Sequence, residues 1–211
     1  MPTGFDDVLS TYPRDPEYSY AVDAAYLTRS IEQEFQVQVP EALKSFWDLV
    51  GAGYFGKDRD LYFFGEGLRQ EARDSLVVWG KKDFWGALLA PPSSGGPLWF
   101  AETCFGDQIG FRWNEGVALV TFLCVDTFEA VILANDFPLF FSDILAEPGR
   151  VIDPALLRGV VERLGRLPAG KHYGPIVSPL IGGSERPGNF HFESPNAHLR
   201  IAIATYAALG G

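Results

Sequence analysis

Residues 97–133 read PLWFAETCFGDQIGFRWNEGVALVTFLCVDTFEAVIL, and this stretch decides the fold class. Leu98, Phe100, Ile109, Phe111, Trp113, Val117, Leu119 and Thr121 recur at every second position, the period of strands with one buried face. Phe105-Gly106-Asp107 and Asn114-Glu115-Gly116 fall between these runs, where a hairpin needs residues tolerant of positive φ. Three or four short antiparallel strands are therefore expected, with the rest of the chain arranged around them.

Outward from the meander, helices are expected on both sides. Leu43, Phe46, Trp47 and Val50 are spaced i, i+3, i+4 and i+7 behind Pro40, which suits a first helical position. Gly51 and Gly53 stop that helix. Before it, Ala21 to Phe35 reads as a helix with Asp23 or Thr28 as caps, and residues 1–20 read as an extended arm. Gly53 to Asp60 reads as a polar loop and Leu61 to Phe64 as a short strand. A loop with a helical turn is expected over 65–74, then a strand or the end of that turn at Leu76–Trp79, then a loop at Pro91–Gly96. Beyond the meander, Asp136, Asp153 and Ser194 each precede a helical pattern, and residues 168–193 read mostly as loop. The order predicts an α+β class: an antiparallel sheet of five to six strands with N-terminal helices packed on it. The core is assigned to residues 1–150. Residues 151–211 form a C-terminal helical extension on the same domain.

The totals bound the function. A chain of 211 residues with 47% hydrophobic and 14% aromatic residues builds a full core. No apolar run reaches the roughly 18 residues of a membrane span. No basic-then-apolar leader opens the chain, so a cytoplasmic location is the expectation. Net charge is −10 and uneven: residues 98–148 carry eight acids and one base, Arg112, whereas residues 149–211 carry four acids and seven bases. Direct nucleic-acid binding is disfavoured, since neutralising phosphates needs a basic face. An acidic meander suits a basic protein partner, or solubility alone.

Catalytic patterns are sparse. His172, His191 and His198 lie in the last 40 residues, and His191 with Glu193 share one face of an extended segment. No metal-ligand spacing, phosphate loop or GxSxG elbow accompanies them. Cys104 and Cys124 read as buried free thiols, with a cross-strand disulfide as the alternative. The expectation is a protein without enzymatic activity, metal or cofactor. Asp58, Asp60, Asp83, Glu102, Asp107 and Glu115 lie near turns as candidate partner-binding acids. Trp85, out of period among Lys81, Lys82 and Asp83, is a candidate aromatic anchor, with collapse onto the sheet as its alternative.

Two blocks carry a family resemblance. Ile31-Glu-Gln-Glu-Phe35, Val39-Pro40-Glu41, Leu43 and Phe46-Trp47, followed by Phe105-Gly-Asp107-Gln-Ile-Gly-Phe111, resemble the SMI1/KNR4 (SUKH) superfamily. The second block runs from Leu156 through Leu164-Gly165 and Leu167 to Tyr173-Gly174, Pro179, Gly182-Gly183, Asn189 and His198-Leu199. With Thr103-Cys-Phe-Gly106-Asp107 it is similar to GAD-like-domain proteins. Residues 65–97 depart from the pattern. The resemblance implies a bacterial immunity protein (antitoxin), associated with type VI secretion, that neutralises a cognate secreted toxin. A nuclease whose active or substrate-binding surface is occluded is the implied partner, with no catalytic residues in the inhibitor. The alternative is a SUKH-like regulatory or small-ligand-binding scaffold.

Overall fold

A computed structural model describes residues 5–68, 73–147 and 149–210. Seven strands form one antiparallel sheet in sequential order: β1 (Arg14–Tyr20), β2 (Ala52–Phe55), β3 (Leu61–Phe63), β4 (Leu98–Thr103), β5 (Gln108–Asn114), β6 (Val117–Leu123) and β7 (Ala130–Ala134). The meander thus forms where alternation places it, but the sheet is larger than five or six strands. The extra strands are β1, expected as an arm, and β2, expected as a loop. β1 carries Asp15 and Pro16 and breaks register between Arg14 and Ser19, which an edge strand tolerates. β2 is buried at every residue, so it has no alternation to read.

The helices are α1 (Asp6–Thr11), α2 (Ala24–Phe35), α3 (Glu41–Leu49), α4 (Leu76–Gly80), α5 (Phe137–Leu139, continuing as a π-helix over Phe140–Leu145), α6 (Pro154–Leu164) and α7 (Pro195–Ala208). Capping follows the sequence. Asp23, Asp136, Asp153 and Ser194 each accept a backbone N–H of the first turn. Leu76–Trp79 is helical because Ser75 Oγ accepts from the Val78 N–H. Of the stretch 65–74, expected as a loop with a helical turn, residues 69–72 lie outside the described residues; on either side Leu68 and Arg73 exchange backbone hydrogen bonds. Residues 168–193 hold a second, two-stranded sheet, β8 (His172–Pro175) with β9 (Phe190–Glu193), rather than loop alone.

The two sheet faces differ in chemistry. On one, Phe55, Phe63, Phe100 and Phe111 meet Phe46, Phe137, Phe140 and Phe141, with Phe46 to Phe63 at 4.8 Å and Phe100 to Phe111 at 4.7 Å between centroids. On the other, cross-strand pairing lines up Tyr54, Tyr62, Glu102 and Gln108 across β2 to β5. Cross-strand partners share a face, so this row is buried together beneath α4, Trp79 and the C-terminal segment.

One detail of the alternation is corrected. Val117 and Leu119 do not continue the buried face of Phe111; Val120 does, paired directly with it. The two-residue turn at Glu115-Gly116 pairs Asn114 with Val117, so odd positions on β5 face even positions on β6. A period of two cannot be carried straight through such a turn. Among the described residues, no helix is long and apolar enough to cross a membrane.

Candidate functional site

The β2–β3, β4–β5 and β6–β7 turns lie at one end of the sheet, and residues 165–205 close over them. The Tyr173 N–H donates to the Cys104 carbonyl (2.8 Å), and Arg59 Nη1 donates to the Leu167 carbonyl (3.0 Å). This closure buries a chain of polar groups. Arg73 is ion-paired with Glu102, whose Oε1 also meets His172 Nε2 at 2.7 Å. His172 Nδ1 faces His198 Nδ1 at 3.2 Å. Gln108 Nε2 donates to Glu102 Oε2 and to the Gly106 carbonyl, and its Oε1 accepts from Trp79 Nε1 at 2.8 Å.

Electrostatics orders the chain. Burial alone would raise the Glu102 carboxyl, but Arg73 and His172 outweigh it and hold it at about 2. Ionised Glu102 accepts, so His172 Nε2 carries a proton. Where His172 is neutral, its Nδ1 is the acceptor and His198 Nδ1 the donor. His198 Nε2 is left as a bare lone pair. Burial, the largest cause, pushes His198 down to about 3, which favours its neutral form.

His198 is only 4% exposed, and its Nε2 has no hydrogen-bond partner among the described residues. It lines a cavity of about 180 Å³ between the β8–β9 sheet and α7. Asp126, from the β6–β7 turn, lines the same cavity, and its Oδ1 is likewise buried and unpartnered. Burial, then Asp107 and Glu185, push Asp126 up to about 7. Glu193 forms part of the wall. Around the mouth stand Ile176, Val177, Ile181 and Ile201, all exposed. The loop carrying three of them is held by Asn189, whose Nδ2 donates to the Val177 and Ser184 carbonyls and whose Oδ1 accepts the Val177 N–H. His198 thus lines this cavity, and Asn189 holds the loop at its mouth.

The Asp126 environment sets a pH dependence. Its folded pKa lies above its ordinary value of 3.8, so its contribution to stability falls as pH rises from about 4 to about 7. Each unit of separation is worth about 1.4 kcal/mol. Asp126→Asn is therefore expected to gain stability on the native protein across that window and to hold a constant advantage above it. Urea unfolding at pH 4.5, 6 and 8 checks this; an advantage that shrinks with rising pH contradicts the assignment.

The residues selected from sequence do not form one face. Trp85 is buried, 5% exposed, because its Nε1 donates to the Trp79 carbonyl and its ring lies 5.5 Å from that of Trp99; it is no exposed anchor. Glu102, 1% exposed, is spent inside on Arg73 and His172. Asp107 joins two turns, accepting from the Val125 N–H and from Thr103 Oγ1. Asp60 is half-buried in the β2–β3 turn, where burial and then Asp58 push it up to about 6; Asp58 is half-buried beside it. Asp83 is exposed but held by Arg200 Nη2 at 2.6 Å. Glu115 is exposed at the opposite end of the sheet.

His191 and Glu193 do share a face, at 3.5 Å, with His191 exposed and Glu193 half-buried. Cys104 and Cys124 are free thiols, the first buried and the second half-buried. The described residues contain no group of three metal-ligating side chains. The effective site was missed because its members are far apart in sequence: 70 positions separate His172 from Glu102, and 26 separate it from His198.

No family model matches the chain, and no curated protein matches it either. Among solved structures, the crystal structure of Atu4351 from Agrobacterium tumefaciens is similar over 94% of this chain and 88% of that one. The TM-score is 0.59 at 18% identity, a likeness of fold.

Proposed function

We propose that this chain is a binding protein of the immunity kind, an antitoxin that captures a secreted toxin and covers its active or substrate-binding surface. The observation that carries the reading is the exposed apolar rim of Ile176, Val177, Ile181 and Ile201 around an acid-lined cavity. Clustered exposed apolar side chains bordered by polar groups are what a protein-interaction surface presents. The acids Asp126, Glu185 and Glu193 beside them suit a basic surface such as a nuclease cleft. The family resemblance points to the same class, and the acidic meander adds long-range attraction to a cationic partner.

Co-expression with the product of the gene adjacent to its own tests the reading. The native chain is expected to form a complex and to protect the cell. Ile176→Asp with Ile201→Asp, both at exposed positions, is expected to fold normally and to weaken the complex by about 2–4 kcal/mol. Glu115→Lys, at the far end of the sheet, is expected to retain binding. Full protection by the double variant overturns the assigned face, and no complex with the native chain overturns the function.

A further inference from the structure

We propose that the cavity between the β8–β9 sheet and α7 is a binding site for a primary ammonium group carried on an aliphatic stem. The end of a lysine side chain is the form a protein partner would present; that form rests on the binding reading above, whereas the ammonium site does not. The cavity floor presents two buried atoms without partners among the described residues, Asp126 Oδ1 and His198 Nε2, the latter an acceptor where His198 Nδ1 donates to His172, with the Glu193 carboxylate in the wall. An ammonium has three N–H donors and no acceptor, so it satisfies such a set without leaving a group of its own unpaired. Buried polar atoms without partners are costly, and a ligand that completes them gains correspondingly.

Charge and shape select the same class. Among the described residues no lysine or arginine lines the cavity, and Asp107 and Glu185 add negative charge next to Asp126. A carboxylate ligand would be repelled, and an uncharged apolar one would leave both acceptors unmet. Ile176, Val177, Ile201 and Ala202 supply apolar wall for methylenes, as surfaces that take lysine stems do. The cavity of about 180 Å³ exceeds what a single water needs and leaves room for a short stem behind the ammonium.

Proton competition follows. Asp126 faces Asp107 from the β4–β5 turn and Glu185 from the 176–189 loop, and these with burial hold its proton to about pH 7. His198 faces His172, Glu102 and His191 and stays neutral in this range. An incoming ammonium therefore displaces the Asp126 proton.

The test is an NMR titration of the full chain, reading the His198 imidazole and the Ile201 methyls. The probes are n-butylammonium chloride, 1-butanol and butyrate, at pH 6 and pH 8. Butylammonium is expected to give saturable shifts at both residues, with affinity roughly tenfold weaker at pH 6 than at pH 8. Asp126→Asn is expected to weaken it by at least roughly tenfold at pH 8. Butanol binding as tightly as butylammonium, or an unchanged Asp126→Asn, overturns the proposal. Nα-acetyl-lysine N-methylamide and spermidine separate the sources: the first matching butylammonium assigns a protein lysine, the second binding much more tightly assigns a free polyamine. If butylammonium fails while the Ile176/Ile201 double variant still loses protection, the ammonium site is wrong and the protein-binding reading stands.

Discussion

Arg73→Met is expected to lose about 3–5 kcal/mol of stability at pH 7, the cost of stripping one partner from a buried ion pair. Methionine is long enough to occupy most of the arginine stem, so the loss is not mainly one of volume. What changes is Glu102, whose carboxylate keeps only His172 and Gln108 as partners. Arg73 also lies over the Tyr62 ring at 3.9 Å, a contact that a neutral thioether does not replace.

The pH profile separates this cause from a packing defect. In the native protein the Glu102 pKa is depressed from 4.5 to about 2, so its stabilisation is present above pH 4.5 and is lost as pH falls toward 2. His198 acts in the same direction: depressed from 6.5 to about 3, its contribution is present above pH 6.5 and erodes below it. Removing Arg73 raises the Glu102 pKa, and the acid limb of the variant is expected to begin at higher pH. Arg73→Met combined with Glu102→Met should recover part of the loss, because no charge then remains buried. Urea denaturation of the single and double variants between pH 4 and 8 measures both effects. A single variant within 1 kcal/mol of native, by a rule of thumb for surface pairs, would show that the pair is dispensable.

How much of this could be read from the chain depended on whether the signal was local. The meander was legible because Leu98, Phe100, Ile109 and Phe111 alternate and Gly106 and Gly116 mark the turns. The caps at Asp136, Asp153 and Ser194 were legible for the same reason. β1 was not, because Asp15 is an acid that the fold buries against Arg59 and Arg166, partners 44 and 151 positions away. Trp85 shows the converse. Its charged neighbours suggested exposure, yet Lys82 is taken by Asp74 and Asp83 by Arg200. The indole itself is held by the Trp79 carbonyl and the Trp99 ring.

The site was least legible. Counting acids in residues 98–148 treated Glu102, Asp107 and Glu115 as equivalent. Burial makes one a core ion-pair partner, one a tie between turns and one a free surface charge. Nothing in the spacing of His172 and His198 distinguishes them from His191. Only the closure of the C-terminal segment over the turns brings two rings together and leaves the third outside.

That closure has a narrow point at Gly106, and Gly106→Ala is expected to damage it severely. Its φ is +92°, and an added Cβ would lie 2.8 Å from His198 Nδ1 and 2.9 Å from His172 Nδ1. Two costs combine. Forcing alanine into that backbone region costs roughly 1–3 kcal/mol, and crowding a packed interior typically adds about 1–3 kcal/mol. Gly116→Ala separates them: its φ is +83°, but an added Cβ meets nothing within 4 Å. It carries the backbone cost alone. The excess loss in Gly106→Ala over Gly116→Ala, read by urea unfolding, measures how tightly the turn is pressed onto the histidine pair. The same substitution should separate the two Nδ1 atoms, which the imidazole ¹⁵N shifts report. Equal losses in the two variants, with unchanged imidazole shifts, would mean that the turn does not press on the rings. The chain from Glu102 to the cavity would then rest on the C-terminal segment alone.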